Sequence, residues 1–313
     1  MFNQNELIKY LMCPQTGEDL IYQSGKLQNS SASNSYEVNK VGIPLFVGQS
    51  FSQDAKTQEA HYDKVADDYI ANIGYPHTQE YMRYLDLAFL ELIENEEIHS
   101  AVEICCGKGE VFSLLGNRVA NGFGVDVSTR MLSEAKKNFP NSNYLFLQAD
   151  AIKLPLKNNT FSHVFMFGGI HHVNNRQQLF NEIYRILQPG GKFYWREPVS
   201  DFFVWKWIRA VIYRFSPNLD HTTERPLTYE ETVPLLHKSG FKCGLWKTLG
   251  LLGFCFFMNS DVLVFNRLFR FIPGIRKITR FFIAMDKLMI KIPLLKRAGL
   301  QVIGCAEKID VKS

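Results

Sequence analysis

From His61 onward, short apolar runs alternate with helical stretches, and no other feature of the sequence constrains the fold as tightly. The runs are Ala101–Cys105, Gly122–Val127, Tyr144–Leu147, His163–Phe167 and Lys192–Arg196, separated by segments of helical character such as Arg130–Asn138 and Arg176–Leu187. Apolar runs this short, each followed by a helix, predict parallel strands buried on both faces by crossover helices. Sheets of that kind bind ligands at the carboxyl ends of their strands. With 313 residues and 46% hydrophobic composition, the chain is long enough for a large α/β domain with appendages.

The ends of the first three runs carry the chemistry. The first reads Val102-Glu103-Ile104-Cys105-Cys106-Gly107-Lys108-Gly109-Glu110, an apolar strand entering a glycine turn, with a helix expected over Val111–Asn117. Gly107 and Gly109 allow the backbone to approach a ligand closely, and the free N–H groups of the helix start suit a carboxylate or phosphate. The second run ends in Asp126, 19 residues after Gly107. One carboxylate there matches the two hydroxyls of a ribose. The third is closed by Asp150, an acceptor for an exocyclic amine. A dinucleotide site requires a third glycine, but Val111 and Phe112 follow Gly109 instead.

The segments VEICCGKGE, GVDVS, QADAIKLPLKNNTF and EIYRILQPGGKFYWREP resemble, in order and spacing, the successive motifs of class I S-adenosylmethionine (SAM)-dependent methyltransferases. The resemblance covers about residues 60–248 and a last strand at 300–308. It implies a Rossmann-like sheet of seven mostly parallel strands with helices on both faces, and SAM as cofactor. By resemblance, Glu103 lies near the methionine amine, and Gly107 and Gly109 line the methionine part. Asp126 binds the ribose with Val127 beside the adenine, Asp150 and Ala151 contact the adenine, and Phe167 and Gly168 face the sulfonium. Tyr62, on the segment preceding the sheet, lines the pocket. The chain departs from the family at Cys105, where glycine is usual, and at Ser162, where aspartate is frequent. Pro189-Gly190-Gly191 is a turn into the fifth strand.

His171 and His172 follow the fourth strand in the loop that faces the transferred methyl. Histidine titrates near neutrality and can take a proton from an oxygen or nitrogen nucleophile. Of the pair, His171 is favoured as base, against the plainer reading of a helix cap or core residue. Cys105 and Cys106 read as small packing residues rather than nucleophiles.

Residues 1–50 read as a small β-rich unit, with strands expected at Leu20–Tyr22, Ser35–Val38 and Ile43–Phe46 and a flexible tip over Gln28–Ser35. It resembles a zinc ribbon that has lost its ligands: only Cys13 remains where four are needed, so no metal is expected. A polar linker is placed around Gln49–Glu59; the methyltransferase core is expected over residues 51–248, with its last strand and a tail at 299–313.

Strands six and seven are expected at Phe241–Leu249 and Gly299–Lys308, as an antiparallel pair split by a helical insertion, residues 249–298. Residues 260–297 hold nine basic and two acidic side chains interleaved with large apolar ones. The stretch Phe202–Phe215 has the same aromatic and basic character. Such segments suit a membrane interface or a lid over a greasy pocket better than a solvated face.

The net charge of +4 does not indicate nucleic acid, and no apolar run is long enough to span a bilayer. The polar start and six scattered cysteines predict free thiols in a reducing cytosol, and the aromatic–basic segments admit a peripheral position on the inner face of a membrane. The expected function is methyl transfer to a small hydrophobic or lipid-like acceptor. An RNA methyltransferase and a non-catalytic SAM-binding scaffold are the alternatives. No sequence feature names a protein partner.

Overall fold

The computed structural model describes residues 5–46, 51–60, 73–140, 142–205, 207, 225–258 and 264–309. Helix α1 (Asn5–Ile8) and strands β1 (Leu20–Gln23), β2 (Lys26–Asn29) and β3 (Ser35–Glu37) form the N-terminal unit; a helix over 53–60, α2, and α3 (Pro76–Leu92) lead into the main sheet. That sheet contains β4 (Ile98–Ile104), β5 (Val119–Asp126), β6 (Tyr144–Gln148), β7 (Phe161–Phe167), β8 (Leu187–Pro198), β9 (Phe241–Leu249) and β10 (Gln301–Lys308). Between the strands lie α4 (Glu110–Leu115), α5 (Thr129–Asn138), α6 (Arg176–Ile186), α7 (Tyr229–Lys238), α8 (Leu252–Phe257) and α9 (Ile275–Met289).

The seven strands are ordered β6-β5-β4-β7-β8-β10-β9, parallel except that β10 runs antiparallel to both its neighbours. The parallel strands are largely buried because helices cover both faces: every residue of edge strand β6 is buried, as are the last five of β4. Edge strand β9 mixes buried and exposed positions. The aromatic side chains of β6 need room from β5, where a Cβ on Gly124 would sit 2.5 Å from the Phe146 ring. Helix starts are capped locally: Ser128 Oγ accepts from Met131 N (3.3 Å) at α5, and Asn175 Oδ1 from Gln178 N (3.2 Å) at α6.

Several boundaries differ from the sequence reading. β8 starts at Leu187, so Pro189–Gly191 is an irregularity within the strand, where the β7 register shifts, rather than a turn before it. Asn29, placed by sequence in a flexible tip, is buried in β2; its amide donates to Glu18 Oε2 (2.9 Å) and its Oδ1 accepts from Asn34 N (2.7 Å). Residues 43–46 make single bridges instead of a strand: Leu45 pairs with Gln148 at the end of β6, and Val38 with Pro44. The polar segment read as a linker is helical from residue 53.

The N-terminal unit shares its core with the main sheet. Leu7, Leu11, Leu27 and Tyr36 belong to the cluster that contains Val102 and Phe123. Tyr10 lies 5.2 Å from the Phe123 ring, and Met12 N donates to Pro155 O at 3.1 Å. Cys13 is buried with its Sγ 3.2 Å from Tyr36 Oη, and among the described residues no group of three His, Cys, Asp or Glu could hold a metal.

Candidate cofactor cleft

The carboxyl ends of β4, β5, β6 and β7 converge on an open cleft of about 870 Å³, solvent at its mouth included. Glu103, Cys105, Cys106 and Gly107 contribute from the end of β4, Asp126 and Val127 from β5, Asp150 and Ala151 from β6, and Phe167 and Gly168 from β7. Its size suits a nucleoside-sized ligand.

Each acid is fixed by backbone N–H groups. Glu103 Oε1 accepts from Val111 N (2.9 Å) in the first turn of α4. Asp126 reaches back to Gly107 N (2.8 Å) and forward to Ser128 N (2.9 Å), which locks the glycine turn to β5. Asp150 accepts from Ser52 N (2.8 Å) and Ile152 N (3.1 Å). Gly109 is required at the start of α4: its φ is 84°, and a Cβ there would lie 2.6 Å from the Phe139 ring. It supports the turn without lining the cleft.

Glu103 differs from the other two acids. It is 1% exposed, and its Oε2 is buried with no hydrogen-bond partner among the described residues. Burial pushes its carboxyl well above the ordinary value, against the pull of the Val111 N–H. A second cleft residue, Gln58, also has a buried oxygen without a partner, Oε1. Two unsatisfied acceptors at one cleft fit a ligand that brings donors, and a cationic donor at Glu103 would offset the desolvation of its carboxylate. These are the needs of an α-amino acid moiety beside a nucleoside, so the residues present fit SAM.

Cys105 occupies the turn with φ 52°, a conformation that disfavours side chains. Burial, followed by the nearby Asp126 carboxylate, pushes both its thiol and that of Cys106 well above the normal value. Both are therefore protonated packing groups at neutral pH.

Sequence reasoning missed α2. Asp54, Ala55 and Gln58 line the cleft, and Asp54 accepts from Asn174 N (2.8 Å) and Nδ2 (2.7 Å) in the loop after β7. Ser52 ties the same segment to Asp150, so it straps β6 to β7 across the cleft. The capping pattern Ser52-Gln53-Asp54-Ala55 was the available signal: Ser52 Oγ accepts from Ala55 N at 3.2 Å. The other unread residue is Glu197, fully buried on β8. Its carboxylate accepts from Gly169 N (2.7 Å), Ile170 N (2.9 Å) and the His171 ring (2.8 Å).

The two histidines are placed differently. His172 lines the cleft, whereas His171 is held behind it by Glu197. Their rings lie 3.9 Å apart. The Phe167 ring is covered by the Arg196 guanidinium (4.2 Å), itself paired with Asp86 (2.5 Å). Tyr62 lies outside the described residues, as does most of Phe202–Phe215.

A family model described as a methyltransferase domain matches residues 102–195. The chain is 34% identical over 101 residues to the 2-phytyl-1,4-naphtoquinone methyltransferase of Nostoc punctiforme, covering 30% of this chain and 44% of that protein. It is 25% identical over 206 residues to the demethylmenaquinone methyltransferase of Lactiplantibacillus plantarum, covering 58% and 86%. The chain spans less than half the length of the first curated relatives it matches. The [4+2]-cyclase SpnF superposes with a TM-score of 0.57 at 16% identity, covering 83% of this chain and 97% of that one, which shows the shared fold alone. Over residues 102–195 the chain is similar to a methyltransferase domain, and the sheet order and the row of strand-end acids agree with that likeness.

Proposed function

We propose that the chain transfers a methyl group from SAM to a small hydrophobic acceptor of quinone type. The observation that carries the cofactor assignment is the buried, unpartnered Glu103 oxygen beside the Asp126 and Asp150 strand ends. The acceptor class is supported by the names of the relatives, which methylate phytylnaphthoquinone and demethylmenaquinone.

In this reading Glu103 accepts from the methionine ammonium, and Gly107 lines the methionine part. Asp126 accepts from the ribose hydroxyls, Val127 packs on the adenine, and Asp150 and Ala151 read its edge. Phe167 and Gly168 border the reacting centre. Bound SAM supplies an electrophilic methyl on a sulfonium. The protein's part is to align an acceptor atom with it and exclude water. His172 borders the cleft and is the group placed to remove an acceptor proton; Glu197 and His171 fix the loop behind it.

A hydrophobic acceptor resides in a bilayer, and we place the protein on the cytoplasmic side, reversibly attached. No described helix is long and apolar enough to cross a membrane. Phe203 and Trp207 are each 73% exposed, and Phe271, Phe281 and Leu294 are exposed on the insertion. Labelled methyl from SAM, incubated with the protein and a membrane-containing extract, is expected in the organic-solvent fraction. Label in the RNA fraction would replace this acceptor with the RNA alternative, and SAM binding without label in any fraction would favour a scaffold.

A further inference from the structure

Helices α3 and α9 face each other along two stripes. On α3, Arg83, Tyr84, Leu87 and Ala88 recur at helical spacing; on α9, Arg280, Ile283, Ala284 and Lys287 do the same, continued by Ile290 and Lys291. Between them runs a groove of about 1860 Å³, open solvent included, closed on its third side by Lys247, Thr248 and Leu249 of β9. It is separate from the cofactor cleft and shares no lining residue with it.

The groove joins two properties. It has an excess of cations: Arg83, Lys247, Arg280, Lys287 and Lys291 against Glu80 and Glu91. Glu80 is already engaged, by Arg280 at 2.7 and 3.2 Å and by Arg276 at 3.7 Å. Lys287 lies 4.8 Å over the Tyr84 ring. Arg83, Lys247 and Lys291 make no ion pair among the described residues. Its wall is also apolar, with Leu87 56% exposed, and Leu288 next to it on α9 is 65% exposed.

We propose that this groove binds the headgroup and upper acyl chain of an anionic phospholipid in a bilayer surface. Charge complementarity requires an anion, and the apolar wall requires hydrocarbon on the same ligand. A free phosphate satisfies the lysines and leaves Leu87 in water, and so does RNA. The position fits as well. Leu249 pairs with Gln301, and Gln301 with Pro198, so the insertion is rooted at the carboxyl edge of the parallel strands, the edge that carries the cleft. Lipid held here brings that edge to the bilayer where a hydrophobic acceptor lies; this consequence, unlike the binding itself, rests on the proposed function.

The test is flotation with phosphatidylcholine vesicles, with and without phosphatidylglycerol. The protein is compared with a groove triple, Lys247→Glu, Lys287→Glu and Lys291→Glu, and with a control triple of equal charge change, Lys40→Glu, Lys238→Glu and Lys242→Glu. Thermal melting and SAM titration establish that each variant folds. The groove triple is expected to lose roughly tenfold or more in partition to anionic vesicles, and the control less than about threefold. Leu87→Asn should weaken the fraction of binding that survives high salt. Equal loss in both triples, equal binding to neutral vesicles, or release by inorganic phosphate or RNA at matched ionic strength would overturn the site. Failure of wild type to bind SAM, with the flotation pattern intact, would remove the proposed function and leave the groove standing.

Discussion

The cofactor edge and the C-terminal insertion each bury a carboxylate, and they use it for opposite ends. In the insertion, Asp286 is fully buried and both oxygens are filled: Oδ1 accepts from Gly253 N (3.1 Å), Oδ2 from Tyr81 Oη (2.6 Å) and Phe254 N (3.3 Å). It fastens α8 and α9 to α3. At the cofactor edge, Glu103 is buried as deeply but has one oxygen filled and one without a partner. A fully buried carboxylate with both oxygens engaged and no cleft beside it serves the fold. One that is desolvated and half-satisfied at a cleft is poised for a ligand.

Three substitutions sharpen that contrast. Asp286→Ala leaves three buried donors unsatisfied and should destabilise the protein by about 3 kcal/mol. Urea unfolding measures it, and SAM affinity in the folded variant should be unchanged. A loss of SAM binding equal to the loss of stability would mean that the two regions are not independent.

The next effect is on Glu103 and its pH dependence. Burial raises the folded-state pKa above that of the unfolded chain, near 4.3. Its contribution to the stability of the ligand-free protein is therefore fully present below that value and is lost as pH rises through the raised folded value. A ligand ammonium favours the carboxylate, so SAM binding should release a proton while Glu103 is still protonated. Glu103→Gln should abolish that release and weaken SAM by roughly tenfold, while affecting 5′-methylthioadenosine, which lacks the amino-acid moiety, far less. Calorimetry in buffers of different ionisation enthalpy reads both quantities; equal weakening of the two ligands would contradict the assignment.

The smallest effect is expected at Cys105. Glycine removes the cost of a positive φ, about 1–2 kcal/mol, and gives up the packing of a half-buried thiol. Cys105→Gly should therefore change stability by less than about 1 kcal/mol in either direction and leave SAM affinity within threefold.

The same contrast explains what was legible in the sequence. The strand-end acids could be read because each sits where an apolar run meets a turn, and turn chemistry is local. Phe241–Leu249, predicted as a strand, is β9 without adjustment. Glu197 could not be read: nothing local distinguishes it from a surface acid on β8, and its four interactions come from a loop 26 to 28 residues earlier. Asp286 was hidden for the same reason, since Tyr81 is 205 residues away in the chain. Helix α2 was missed because polar composition outweighed its cap. Spacing alone did not reveal that His172 lines the cleft while His171 is tied to Glu197. The basic, apolar character of the insertion was plain, but only the packing of α9 on α3 separates the inward Ile283 from the exposed Phe281.

The central claim is that the strand-end acids hold SAM, and it is tested most directly by titrating SAM into the wild type and Asp126→Ala in a calorimeter. One-to-one binding in the micromolar range is expected for the wild type. A loss of about 1.5–3 kcal/mol is expected in the variant, from charged hydrogen bonds to the ribose. Unchanged affinity in a folded Asp126→Ala protein, or no binding to the wild type, would contradict it.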